Sequence, residues 1–289
     1  MRPTHGRRGR RGARIGVAVA ILLLVYELLW GKLFPYSPVA VGFTKHELAR
    51  SITYVQDGAG FADFARLDGV APAVERAHGL RFVRKPRFFI FRDDASYLRR
   101  SPTKARFCAF YSGALIISPW AVLEAAEGKI SLETYVRHEL SHVLLFQHMG
   151  LLRAWRFPKW LLEGVATYTA NQRGTTFYPS KEETYRLMRE GNFVPPQAFH
   201  TMAEDRIELR VRYRESFIYS ELACLVDYLI GTLGRDRFQA YLTRMMTDGD
   251  EGKVFQETYG VSFDEAVRGF RDQVLRGKSR KAEVPDEGA

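Results

Sequence analysis

Apolar positions are patterned in three ways along this chain: one unbroken N-terminal run, strand-length runs in the first half, and helical stripes in the second. The unbroken run covers residues 15–30 and continues through Gly31 and Lys32 to Leu33 and Phe34. It is close to the ~20 apolar residues that cross a bilayer. Glu27 lies near one end of it, where a carboxylate can reach the interface, and Trp30 and Tyr36 suit an interfacial belt on the far side. Residues 35–45 read as a short linker. Residues 61–78 carry Phe61, Phe64, Leu67, Val70 and Val74 at helical spacing and end at Gly79, with Pro72 as the point where the helix would split. Residues 82–91 read as a strand entering the core after Pro86, closed by Asp93 and Asp94, and residues 107–118 as a hairpin or edge strand. A helix-length apolar run follows over residues 135–145, with Ser131 as N-cap, Glu133 in the first turn and Gly150 as its stop. Pro158 marks a break before a second helix over residues 160–168. A helix over residues 217–229 comes next. Helical periodicity then resumes from Asp236 (Phe238, Tyr241, Leu242, Met245), and residues 263–275 form an amphipathic helix before a charged tail, 276–289.

The 289 residues leave room for one sizeable catalytic domain with appendages or for two small domains. An apolar fraction of 46% with 20 Phe and 14 Tyr excludes global disorder. A net charge of +10 resembles a nucleic-acid signature until it is located. Arg2, Arg7, Arg8, Arg10, Arg11 and Arg14 all precede the apolar run, with no acid among them, and the remaining excess is modest and spread out. Arginines before the span and only Lys32 just after it predict a cytoplasmic tail (residues 1–14), a membrane anchor (15–34) and an extracytoplasmic remainder, with no nucleic-acid partner. No small-x-small cleavage site follows the run, so the anchor is expected to stay uncleaved. Gly9 and Gly12-Ala13 do not support a twin-arginine export signal. An oxidising exterior permits a disulfide between Cys108 and Cys224, but the pair read as two buried small hydrophobes.

Chemistry enters with His138-Glu139-Leu140-Ser141-His142. On a helix at about 100° per residue the two histidines lie about 40° apart, one turn above the other. Two imidazoles on one face can grip a single Zn²⁺, with Glu139 beside the water the metal would polarise. Two incidental histidines on a buried helix would read the same way, so the neighbouring residues matter. A hydrolytic zinc takes three protein ligands and keeps a fourth position open. Glu163, in the second helix, is the expected third, its alternative role being a partner of the helix dipole. Gly164 and Ala166 are small enough to let that helix approach the first. His148 completes H-E-x-x-H-x-x-x-x-x-H, but that spacing needs a helix-breaking glycine at 145, where Leu145 stands. In a continued helix His148 lies about 120° from His142. The strand before the metal helix could hold an extended peptide through its main chain.

Arg137–His142 and the segment Trp160-Leu-Leu-Glu-Gly-Val-Ala-Thr-Tyr168 resemble the two zinc segments of the gluzincin metallopeptidases, the thermolysin-like and aminopeptidase N-like clan. Residues 219–234 are similar to the aminopeptidase N-like segment whose leading tyrosine steadies the transition-state oxyanion. The resemblance covers roughly residues 107–246. It implies an α+β zincin-like catalytic domain over residues 46–275, with a small mixed sheet over the metal helix and a helical C-terminal half. It also implies zinc held by His138, His142 and Glu163, with Glu139 as general base. Tyr219 is the implied oxyanion donor, and Tyr213 is a second candidate. The aminopeptidase segment that holds a free N-terminus is missing, with Gly113-Ala-Leu-Ile-Ile-Ser118 in its place, and Leu162 replaces an asparagine. These departures favour the short peptidase MA-like members and an endopeptidase acting on peptides or proteins. A metal helix carrying Arg137, His138, Glu139 and His148 does not resemble a membrane-embedded one. The alternative is a catalytically inactive zincin-fold protein, anchored for binding or assembly, which would have no chemical need for Glu139.

The topology has a direct test. Protease added outside spheroplasts should digest the domain and spare the N-terminal tail, and the reverse pattern would invert the orientation.

Overall fold

The computed structural model describes the backbone of residues 6–277 and the side chains of residues 14–277. Residues 1–5 of the basic tail and nearly all of the charged 276–289 tail therefore lie outside the described residues. Helix α1, Gly6–Trp30, joins the tail to the apolar run in one rod. Ile15, Val17, Ile21, Leu22, Leu23 and Leu24 are all exposed along it. The helix ends at Trp30, earlier than the expected span. At Gly31 the chain turns, the Lys32 N–H donates to Glu27 Oε2 (2.8 Å), and Pro35 has no N–H with which to continue a helix. Phe34 then turns inward and packs edge-on against Phe89 and Phe91.

The segment expected as a linker is therefore part of the fold. Strand β1, Phe43–Glu47, starts inside it and pairs antiparallel with β2, Ile52–Gln56. Neither strand is visible as a pattern: β1 is a solvent-facing edge carrying Lys45, His46 and Glu47, the kind of charged edge that resists further pairing, and β2 buries the polar Thr53 and Gln56 beside Val55. Helices α2, Phe64–Asp68, and α3, Ala71–His78, are the halves of the stripe expected to split at Pro72, and Gly79 closes α3 in the left-handed region at φ 68°. Strand β3, Arg87–Ile90, leads to α4, Asp94–Arg100, whose N-cap Asp93 accepts from the Ser96 N–H. A hairpin of β4, Phe107–Ala109, and β5, Ala114–Ile117, completes a five-stranded sheet of order β1-β2-β3-β5-β4. The inner strands β2, β3 and β5 run parallel, both outer strands run antiparallel to their neighbours, and β4 is an edge.

The rest is helical: α5 (Pro119–Ala126), α6 (Leu132–Gln147), α7 (Leu151–Arg156), α8 (Lys159–Thr169), α9 (Lys181–Arg189), α10 (Arg214–Leu233), α11 (Arg235–Thr247), α12 (Glu251–Tyr259) and α13 (Phe263–Arg276). The chain is thus α+β, a small mixed sheet followed by a helical half. Ser131 caps α6 by accepting from the Thr134 N–H. The helix ends at Gln147, and Gly150, expected as its stop, instead caps the start of α7. Helix α6 is buried on two sides. Val136, Leu140, Val143 and Leu144, at i, i+4, i+7 and i+8, pack on Phe88, Ile90, Leu115 and Ile117 of the sheet. Leu145 on the other side joins the helical core of α8 and α10–α13. Helix α10 is long and apolar enough to cross a membrane, but Phe217, Leu222, Leu225, Val226 and Leu229 are buried in that core.

Gly164 serves a different approach from the one expected. A Cβ there would stand 3.0 Å from the Leu222 carbonyl oxygen and 3.2 Å from Val226 Cγ2, so it lets α8 close on α10, not on α6. Glu163 faces α6, and the next residue points about 100° away. Gly164→Val should cost about 1–3 kcal/mol of stability through overpacking. Gly231→Ala, on α10 with nothing within 4 Å of its Cβ, should gain about 0.5–1 kcal/mol. Thermal unfolding of the two variants checks both signs.

Candidate metal centre

The face of α6 between its two cores carries His138 and His142, and α8 presents Glu163 to them. Glu163 Oε2 lies 3.2 Å from His138 Nε2 and 3.5 Å from His142 Nε2, and the two Nε2 atoms are 3.2 Å apart. All three donor atoms fall within 4.8 Å of one another, and both histidines are buried. Gln172, just beyond α8, accepts a hydrogen bond from His138 Nδ1 through Oε1 (2.9 Å). With Nδ1 engaged by Gln172, Nε2 is the nitrogen directed into the cluster.

The charges also fit a cation. Burial alone would push the Glu163 carboxyl up, but the positive charge of His142 and hydrogen bonds from both histidines hold it well below the usual range. Burial would likewise lower His142, and the Glu163 charge and hydrogen bond reverse that and raise it. Two imidazoles and an ionised carboxylate can share one proton only imperfectly, whereas two nitrogen donors and one oxygen donor suit Zn²⁺. His142 Nδ1 is buried and finds no partner among the described residues. The cluster opens on a cavity of about 620 Å³ lined by Phe107, Cys108, Ala109, Phe146, Tyr178, Tyr213 and Tyr219.

Glu139 stands beside the cluster and outside it. Its Oε2 accepts from the Ala109 N–H of edge strand β4 at 2.8 Å. Arg106 and Phe110 make the hydrogen bonds to the β5 side, so the alternation of the ladder turns the main chain of Phe107 and Ala109 toward the cleft. Tyr219 stacks on His138 with ring centroids 6.0 Å apart and planes 7° from parallel. Burial, and then the nearby Glu163 charge, raise its phenol, so it stays a donor. Tyr213 also lines the cavity but is more exposed, and packs edge-on against Phe177. His148 is turned away, its Nε2 against the Arg81 carbonyl oxygen at 2.8 Å.

Two residues of the site are not visible from spacing. Gln172 follows Asn171, which takes a positive φ of 49° as the chain leaves α8. Tyr178 lies in a loop and is raised by burial, then by Tyr135. Neither belongs to a periodic segment. Cys108 and Cys224 are free thiols. Cys224 is fully buried, as expected, whereas Cys108 is half-buried and lines the cleft. Burial, with Glu139 and Glu163 nearby, pushes the Cys108 thiol up to about 12, which leaves it neutral.

No protein-family model matches the chain, and a search of curated proteins returns no match. The functional reading rests on the geometry of the site itself.

Metal analysis tests that geometry. Because Phe34 is part of the core, the full chain is the suitable material. It should bind one equivalent of zinc. Glu163→Ala should lose the metal and His148→Ala keep it, the reverse pattern restoring His148 as a ligand. Gln172→Leu should weaken zinc binding by about 10–100-fold without unfolding the chain.

Proposed function

We propose that this chain is a membrane-anchored zinc metallopeptidase of the gluzincin type, with a zincin-like domain that acts outside the cytoplasm as an endopeptidase. The observation that carries this reading is the convergence of His138, His142 and Glu163 with Glu139 held alongside and not among them. Zinc bound by those three residues would supply Lewis-acid polarisation and lower the pKa of water toward neutrality.

The chain's own groups provide the rest. Glu139 takes the proton from the attacking water and returns it to the leaving amine. The Ala109 N–H donating to Oε2 sets the orientation of that carboxylate. Tyr219, protonated and held against His138, donates to the oxyanion, a contact worth about 2–4 kcal/mol in comparable sites. The main chain of Phe107 and the Ala109 carbonyl oxygen, on the outer edge of β4, can pair with an extended peptide and lay it across the site. The exposed apolar residues of α1 support the anchor, and the arginines before them support its orientation.

Metal content measured beside turnover on a denatured protein separates the roles. Glu139→Gln should keep zinc and abolish proteolysis. Glu163→Ala should lose zinc, stability and activity together. Tyr219→Phe should keep metal and fold and lose turnover by about 10²-fold. A fully active Glu139→Gln variant would end the hydrolase reading in favour of an anchored binding protein.

A further inference from the structure

Helix α7 is a surface feature that the proposed catalysis does not use. Ala154 anchors it in the core, while Leu151, Leu152 and Trp155 are 63%, 72% and 73% exposed. Three large apolar side chains on one six-residue helix are costly to leave in water, at roughly 25 cal/mol per Å². Their place in the fold is informative. Tyr111 Oη donates to the Met149 carbonyl oxygen just before α7 (2.7 Å), and the adjacent Ser112 Oγ donates to the Pro35 carbonyl oxygen just after the anchor (2.6 Å). The patch and the end of the anchor are therefore fastened to the same β4–β5 turn.

The same turn lines a groove of about 660 Å³, together with Tyr36 just after the anchor and Gln147 at the end of α6. Arg84, Lys85 and Arg87 line it, and no acidic side chain does. Lys85 is partly compensated from outside the groove by Glu47 (3.2 Å), and Arg87 donates to the Ser112 carbonyl oxygen. Behind the patch, Arg153 is held by the Met245 carbonyl oxygen, with Asp248 and Glu251 near it. Val83, 63% exposed, sits on the segment strapped to the end of α6 by the Arg84–Gln147 hydrogen bonds. Leucines and a tryptophan tied to the turn that lines an acid-free basic groove are the composition of a surface that dips into an anionic interface.

We infer that this face seats on an anionic bilayer, the Leu151–Leu152–Trp155 patch entering the headgroup layer and the Arg84–Arg87 groove receiving lipid phosphates. The inference rests on the reading of α1 as the anchor, because the bilayer in question is the one that holds it.

The tryptophans test both separately. Trp160 is buried and Trp120 partly buried, leaving Trp30 to report the anchor and Trp155 the face. The full chain is reconstituted in phosphatidylcholine–phosphatidylglycerol vesicles whose acyl chains carry bromine near the headgroup. Trp155→Phe should remove a large part of the quenchable emission, Trp30→Phe should remove the rest, and the Trp155 part should shrink in vesicles without phosphatidylglycerol or with Arg84→Gln/Lys85→Gln. If Trp30→Phe removes all of the quenchable emission and Trp155→Phe none, the anchor stands and the seated face is overturned. If neither tryptophan is quenched, both readings fall. A Trp155 shielded from bromine and cross-linked to a second copy would overturn the bilayer as the occupant in favour of self-association.

Discussion

A carboxylate buried between two imidazoles is the constraint on which the helical half of this protein depends. Glu163 is kept ionised at the floor of the cleft by positive charge within a few ångströms. Removing the partner of such a buried charge typically costs about 3–5 kcal/mol, so α8 must be held in register with α6. That register comes from the adjoining face of α8. Gly164 allows the backbone of α10 to close on it, and α10 in turn brings Tyr219 flat against His138. Gln172 adds the last restraint by fixing which nitrogen of His138 carries the proton. Packing and electrostatics are therefore coupled: loosening the α8–α10 contact would also misplace the one acid that faces the histidines.

Helix α6 carries this load because it is buried on two sides. Its sheet-facing side supplies hydrophobic burial, which leaves the side with His138 and His142 free to be polar. The general pattern is a rigid apolar backing with a polar pair projected from it, which places donor atoms more accurately than a loop can.

Much of this was legible in the sequence, for physical reasons that differ by element. Helix α6 is visible because the i, i+4 spacing of the histidines and the i, i+4, i+7 spacing of its apolar residues report the same helix. Glu163 stands in an apolar helix, where an acid demands explanation, and the structure does bring it to both histidines. Strand β1 was hidden because an edge strand facing water has no buried alternation to show, and β2 because two of its buried positions, Thr53 and Gln56, are polar. Helix α7 is too short to display periodicity, and its exposed leucines imitate a core stripe. The use of Gly164 could not be read because a small residue announces a close approach without saying to which neighbour. Gln172 and Tyr178 follow the end of a helix, where tertiary folding alone decides what they touch.

The join between α1 and the domain carries a mechanical consequence. Phe34 is locked under the sheet four residues after α1 ends, and Lys32 Nζ donates to the carbonyl oxygens of Leu98 and Ser101. No slack remains between rod and body. For a chain held in a bilayer through α1, the cleft would then ride at a nearly constant height above the lipid, and could not sweep a volume as a head on a flexible tether does. As the proposed peptidase, such a body would select among polypeptides by the altitude at which they present an extended segment, before any side chain is read. A stretch of glycine and serine inserted at residue 33 would exchange that ruler for a leash.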